Sequence, residues 1–167
     1  MDKSHFKMMA RYGSWANQRL LSACTNISAD DYYADRNAFF GSIHGTLNHI
    51  LVGDRIWFGR ISGIDSGLTT LGAKLYDTLD GLVAARESED QRIISIIDEM
   101  DANALSGELR YTTIGNSTPM ETPMSAVLTH VFNHATHHRG QVHGLLSQVP
   151  FDPPSLDLIL YLRECDT

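Results

Sequence analysis

The stretch that constrains the fold most is HVFNHATHHRGQVH, residues 130–143, which carries five histidines in fourteen positions of one helical pattern. His134 and His138 are four residues apart, so on a helix their imidazoles lie one turn apart on the same face. Neutral imidazole is the commonest protein ligand for zinc, nickel, copper and iron. A helix bearing this pair therefore supplies two ligands of a candidate metal site, and a third must come from elsewhere in the chain.

The position of the pair on its helix leaves two interpretations open. A rotation of 100° per residue places His138 within a broad apolar stripe and His134 on its margin, beside Gln141. The stripe consists of Val127, Leu128, Val131, Val142, Leu145, Leu146 and Val149. Most helical histidines are solvated or hydrogen-bonded. Burying two imidazoles without partners costs about 1–3 kcal/mol each, however, and a metal ion removes that cost.

Helical periodicity outside this stretch predicts an all-α four-helix bundle with long crossover connections and a short C-terminal helix. The predicted helices span residues 5–26, 42–61 with Ser42 as N-cap, 75–104, 122–148 with Thr122 as N-cap before Pro123, and 156–163. No repeat or low-complexity tract divides the sequence, so residues 1–167 are predicted to form a single domain. Bundles of this kind commonly build metal sites from side chains on facing helices.

The segments between the predicted helices differ in character. Residues 27–40 are turn-like and polar, and a glycine-rich link follows the second helix. Alternating residues around Gly115-Asn116 predict a short hairpin or an irregular crossover before the fourth helix. Within the third helix, the sequence RESEDQR at residues 86–92 is interpreted as a solvated charged patch.

The composition excludes several classes of protein. The chain has a formal net charge of -7 and no stripe of Lys and Arg, which argues against nucleic-acid binding driven by phosphate contacts. Its apolar runs are far shorter than the roughly 20 residues that span a bilayer. The first residues lack the apolar stretch and cleavage site of a signal peptide. A cytoplasmic protein is therefore predicted, with Cys24 and Cys165 as free thiols.

The predicted second helix offers two candidates for a third ligand. His44 lies near the edge of its main apolar face, and His49 lies on a second, narrower apolar stripe, so spacing alone does not choose between them. Asp54 lies in the middle of the main apolar face, where a carboxylate must be paired, hydrogen-bonded or ligating. An ion pair or a cap for a neighbouring helix is the favoured interpretation of Asp54.

Three other kinds of site find no support in the sequence. Ala135 follows His134, so the HExxH motif and its general base are missing. The helices offer too few inward-facing carboxylates, and no paired Glu-x-x-His motifs, for a di-iron site. Neither form of glycine-rich loop that cradles phosphates, GxxxxGK[ST] or GxGxxG, is present.

Four patches together resemble the DinB (damage-inducible) family of helical-bundle proteins. They are MARYGSWANQRLL at 9–21, SIHGTLNHILVGDRIWFGRI at 42–61, HVFNHATHHRGQVHGLL at 130–146 and LDLILYLRE at 156–164. The patches occur in order, so the resemblance covers essentially the whole chain.

The resemblance implies a mononuclear divalent metal ion held by one histidine of the second helix and two of the fourth. Carried over by position, these are His49, His134 and His138. Zinc or nickel is expected first, and iron, copper or manganese are further options. Family members often form homodimers, which the resemblance suggests for this chain.

Three neutral imidazoles leave a metal ion its full charge and at least one open position, as in catalytic sites. Arg139 and Gln141, with Asp54, are the candidates for supporting the ligands or contacting a substrate. The DinB-like superfamily includes enzymes that use low-molecular-weight thiols, so the resemblance implies a metal-dependent enzyme of the thiol S-transferase or hydrolase type that acts on a small molecule. The alternative is a stress-associated metal-binding protein without turnover, since no catalytic nucleophile or general base is evident.

Overall fold

A computed structural model describes residues 2–115 and 117–165. Within these ranges the chain is mostly helical, as predicted, with seven helices and one two-stranded sheet. The elements are α1 Lys3–Cys24, α2 Ala29–Tyr33, α3 Ile43–Ser62, α4 Leu79–Glu99, α5 Ala102–Ser106, β1 Glu108–Thr112, β2 Pro119–Pro123, α6 Met124–Leu146 and α7 Leu158–Cys165.

The four long helices pack against one another in a closed order. Helix α1 contacts α4 and α6, and α3 contacts the same two helices. Apolar side chains fill the space between them, with Leu20, Leu51 and Leu146 fully buried in one cluster. Phe58 and Leu128 are fully buried in a second. This arrangement is compatible with an all-α bundle and brings α3 directly against α6.

Helix α3 begins where the sequence predicted, because the Ser42 hydroxyl accepts a hydrogen bond from the backbone N–H of Gly45 at 3.0 Å. The preceding segment is less irregular than predicted, since residues 27–40 contain the short helix α2, capped by Ser28. The Cβ of any larger residue at Gly45 would collide with the carbonyl oxygen of Phe40. Glycine at position 45 therefore lets the loop before α3 fold back onto the first turn of the helix.

The predicted third helix, residues 75–104, was too long at both ends. The first residues of the predicted helix are bound to α3 instead, because the side-chain oxygen of Asn48 accepts hydrogen bonds from the backbone N–H groups of Leu75 and Tyr76. The helix begins instead after Thr78, whose hydroxyl caps it. It ends before Asp101, which caps the separate helix α5.

The segment before α6 forms a hairpin, one of the two predicted alternatives. Strands β1 and β2 are antiparallel, with Leu109 opposite Thr122. Asn116, on which the predicted turn rested, lies outside the described residues. The prediction of Thr122 as an N-cap was wrong: Thr122 and Pro123 close strand β2, and α6 starts at Met124 without a side-chain cap.

The last two helices lie within two residues of their predicted positions. Helix α6 ends two residues earlier than predicted, and α7 is displaced two residues towards the C-terminus.

Cys24 is buried and Cys165 is exposed, and both are free thiols, as predicted. Within the described ranges, none of the helices has the length and apolar character needed to cross a membrane.

Candidate metal centre

Three imidazoles from two helices meet between α3 and α6. The Nε2 atom of His134 lies 3.2 Å from Nε2 of His49 and 3.1 Å from Nε2 of His138. One ligand atom from each ring falls within 4.8 Å of the others, so these three side chains could hold one metal ion. His49 and His138 are buried and His134 is half-buried. The structure thus brings together the three residues that the family resemblance implied.

The far nitrogen of two of these rings is fixed by a protein oxygen. Nδ1 of His49 lies 2.9 Å from the backbone carbonyl oxygen of Leu71, and Nδ1 of His138 lies 2.7 Å from the side-chain oxygen of Gln141. Because an oxygen acceptor requires a donor, both rings carry their proton on Nδ1. The amide nitrogen of Gln141 donates to His137, which fixes the orientation of the Gln141 side chain. Such outer hydrogen bonds are typical of metal-ligating histidines.

With these tautomers, the imidazole nitrogens that face one another at the centre have more lone pairs than there are N–H protons to donate to them. With their protons on Nδ1, His49 and His138 each direct an unprotonated Nε2 towards His134. A neutral His134 has at most one proton on its own Nε2 and can donate to only one neighbour. A divalent cation between the rings would accept all three lone pairs, so the donor set fits a metal ion.

Burial keeps the three imidazoles in the ligating form. It lowers the pKa of His49 and of His138 below the usual histidine value. The same effect, reinforced by the neighbouring imidazoles, lowers the pKa of His134 to about 3. Because only a neutral imidazole binds a metal ion, the centre is ready to bind one at neutral pH.

Two residues that no pattern in the sequence singles out shape the space around the centre. A Cβ atom at Gly53 would lie 3.0 Å from Cε1 of His134, so glycine at this position of α3 leaves room for the ring. The ring of Phe40 stacks on His49 with centroids 3.8 Å apart and meets His138 edge-on at 5.6 Å. Phe40 therefore covers one side of the centre.

The remaining histidines of α3 and α6 lie outside this group. His44 is buried, with one ring nitrogen 3.0 Å from the hydroxyl of Tyr32 and the other 2.9 Å from the carbonyl oxygen of Tyr76. His130 is exposed and its ring lies 5.9 Å from that of His134. His143 lines a different cavity. Spacing left open whether His44 or His49 lies with the pair on α6, and in the structure it is His49.

Asp54 belongs to a buried ionic cluster. Its carboxylate lies 2.5 Å from the guanidinium of Arg86, which is also 2.9 Å from the carboxylate of Asp90. Asn17 donates a further hydrogen bond to Asp90 at 2.9 Å. The cluster joins α3, α4 and α1 with all four side chains buried. The favoured interpretation of Asp54 as an ion-pair partner agrees with this geometry.

The interpretation of residues 86–92 as a solvated charged patch was only partly right: Glu87, Ser88 and Gln91 are exposed, but three charged members are not. Arg86, Glu89 and Asp90 are each no more than 5% exposed. Charged side chains are buried this deeply only when they are paired, and here the partners come from α1 and α3 and from within α4. The pattern of a charged run on a helix does not reveal partners that lie far away in sequence.

The carboxyl group of Asp90 should give the fold an unusual pH dependence. Burial raises the pKa of Asp90 to about 6, against the opposing charge of Arg86. In the unfolded chain the pKa is about 3.9, so between about pH 4 and pH 6 the folded state binds the extra proton and the contribution of Asp90 to the free energy of unfolding falls as the pH rises. As the pH rises from about 4 to 6, urea unfolding should therefore show the free energy of unfolding of Asp90→Asn gaining on that of the wild type by on the order of 2 kcal/mol.

Asp98 provides a control of opposite sign. Hydrogen bonds from Lys7 and Arg11 hold the pKa of Asp98 below its usual value. The contribution of Asp98 to the free energy of unfolding is present above its pKa in the unfolded chain and is lost as the pH falls. Asp98→Asn should therefore be less stable than the wild type at neutral pH, and this difference should disappear at low pH. If the stability of both variants relative to the wild type changed in the same direction with pH, the raised pKa of Asp90 would be contradicted.

The other two candidates from the sequence occupy different places. Gln141 orients His138, as described above. Arg139 is only 3% exposed and packs over the ring of Tyr12 at 5.3 Å, with a hydrogen bond of 2.9 Å to the hydroxyl of Thr136. It lines a cavity of about 600 Å³ between α6 and the segment before α7, which contains none of the three histidines of the centre.

Fold and centre together define a mostly helical protein with a candidate three-histidine metal site shared by two packed helices. Comparison with family models matches the DinB family over residues 1–165. The chain belongs to the DinB family. A comparison with curated proteins found no match.

Proposed function

We propose that this chain binds one divalent metal ion through His49, His134 and His138 and uses it to act on a small molecule, as a thiol-dependent S-transferase or a hydrolase. The observation that carries the proposal is the convergence of the three imidazoles, which place one ligand nitrogen each within 4.8 Å of the others. We further propose that the four long helices form a four-helix bundle, with the ligands on its facing helices α3 and α6.

The residues of the chain would divide the work at this centre. His49, His134 and His138 would hold the ion, while the Leu71 carbonyl and Gln141 keep the Nδ1 protons of two ligands in place. A bound divalent ion supplies Lewis acidity to a group in its open position. We propose zinc or nickel as the ion; imidazole ligands also suit iron and copper, and manganese is a further candidate.

A neighbouring cavity supports the catalytic form of the proposal. A space of about 570 Å³ is lined by His49 and Phe40 together with residues 71–74, and its volume suits a small molecule. Homodimerisation, a cytoplasmic location and the absence of nucleic-acid contacts remain predictions from the sequence.

The second candidate is a metal-binding protein without turnover, associated with stress. It is favoured by the lining of the cavity: His49 is the member of the centre that lines it, and Phe40, which also lines it, packs edge-on against His138. A centre covered in this way would hold an ion without presenting it to a substrate.

Metal content tests the proposal shared by both candidates. Elemental analysis of protein purified without an affinity tag should find about one divalent ion per chain, and about none in His49→Ala, His134→Ala and His138→Ala, because two imidazoles hold an ion far less tightly than three. The control is His143→Ala, which removes a histidine of the same helix outside the centre and should retain the ion. Wild-type protein that neither contains nor takes up an ion would overturn the three-histidine proposal.

A further inference from the structure

Exposed apolar side chains gather around the cavity beside His49. Six large apolar side chains are exposed in the described part of the chain, and three of them line this one space: Phe39 at 91%, Leu71 at 51% and Tyr33 at 43% exposure. Scattered exposed apolar residues need no explanation, but a group of them around a concave surface is typical of a ligand site.

Aromatic contacts connect this space to the candidate metal centre. Phe39 meets Phe40 edge-on with centroids 4.8 Å apart, and Phe40 stacks on His49. Gly45, which has no Cβ to collide with the Phe40 carbonyl oxygen, lets this loop lie against α3. A flat molecule lying along Phe39 would therefore have one end beside a proposed ligand of the metal ion.

The polar groups of the cavity are already used by the protein. Both ring nitrogens of His44 have partners, and the side-chain oxygen of Asn48 accepts two backbone hydrogen bonds. Lys74 is at the cavity's edge and pairs with Asp77 at 2.8 Å. These polar side chains therefore already have partners within the protein, whereas two of the aromatic rings at the cavity are exposed, and this favours a ligand with an apolar, planar body.

We infer that the cavity binds the aromatic or other flat apolar portion of a substrate, alongside His49 and the Phe40 ring that packs on the three-histidine centre. This inference rests on the proposed function and adds the class of substrate to it. The volume of about 570 Å³ suits a molecule of one or two rings rather than a helix of a partner protein.

Thiol binding to the cobalt-loaded protein tests the inference. Cobalt(II) reports a bound thiolate through a sulfur-to-metal charge-transfer band, so dissociation constants can be measured for ethanethiol and 2-phenylethanethiol. Burial of the ring should make 2-phenylethanethiol bind about tenfold more tightly or better. Phe39→Ala should remove most of this preference and leave the affinity for ethanethiol unchanged.

The matched control is Ile159→Ala, which removes an exposed apolar side chain on α7, away from the cavity. It should keep the wild-type preference for the phenyl compound. Equal affinities for the two thiols, or a preference that persists in Phe39→Ala, would overturn the inference. A change in oligomeric state of Phe39→Ala by sedimentation, with the preference intact, would assign Phe39 to an interface between two copies of this chain instead.

The same experiment separates failure of the inference from failure of the proposed function. Protein that binds no cobalt fails the proposed function. Calorimetry with both thiols on the metal-free protein then decides the inference: a phenyl preference that Phe39→Ala abolishes supports the cavity, and its absence overturns it.

Discussion

Replacing Arg86 with methionine should destabilise the fold by about 3–5 kcal/mol, because it leaves buried carboxylates without their cation. Asp54 and Asp90 both depend on this guanidinium, and each is 4% exposed. Urea unfolding at pH 8 measures the effect. The loss should be smaller at pH 5, where the orphaned carboxyl groups can take up protons and avoid a buried charge.

Two further variants isolate the cause. Adding Asp54→Asn to Arg86→Met should recover part of the lost stability, since it removes one of the unpaired charges. Arg110→Met deletes a guanidinium from the exposed pair with Glu121 and should leave the unfolding midpoint almost unchanged. If Arg86→Met and Arg110→Met behaved alike, the cluster would contribute no more than a surface ion pair.

A divalent metal ion should stabilise the wild-type protein markedly. An ion that binds only the folded chain adds about 2.7 kcal/mol to the free energy of unfolding when its free concentration is 100 times the dissociation constant. His134→Ala should lose this gain, because His134 contacts both other imidazoles of the centre. Thermal or urea unfolding with zinc or nickel at increasing concentrations gives the measurement.

The His143→Ala variant controls for nonspecific binding to histidines. It should show the same metal-dependent stabilisation as the wild type, since His143 lies outside the centre. Stabilisation that survives in His134→Ala would mean that the ion binds elsewhere. Destabilisation of the wild type would mean that the unfolded chain is the better ligand.

Part of the candidate centre could be predicted from the sequence because its geometry is local. The spacing of His134 and His138 places both rings on one helix face regardless of the rest of the fold. His49 could not be chosen over His44 by spacing, since both lie on partly apolar faces, and the family resemblance made that choice. The packing of Phe40 on the centre could not be predicted, because Phe40 lies in a loop whose path depends on its close approach to Gly45.

The long helices were predictable for the same reason, and their ends were not. Apolar periodicity identified the four long helices and the last short one, and Ser42 marked the start of α3. The start of α4 depends on Asn48, which is 27 residues before Leu75 and draws the chain out of helical geometry there. The burial of Arg86 depends on Asp54, 32 residues away. Local patterns contain no information on such partners.

The separation of the proposed ligands along the chain would determine when the protein could acquire an ion. His49 and His134 are 85 residues apart. At a synthesis rate of about 5–20 residues per second, roughly 4–17 s pass between the addition of the two residues. The three proposed ligands therefore come together only after the chain as far as His138 has left the ribosome and α6 has docked on α3. Choice among competing ions then belongs to the folded protein rather than to the nascent chain.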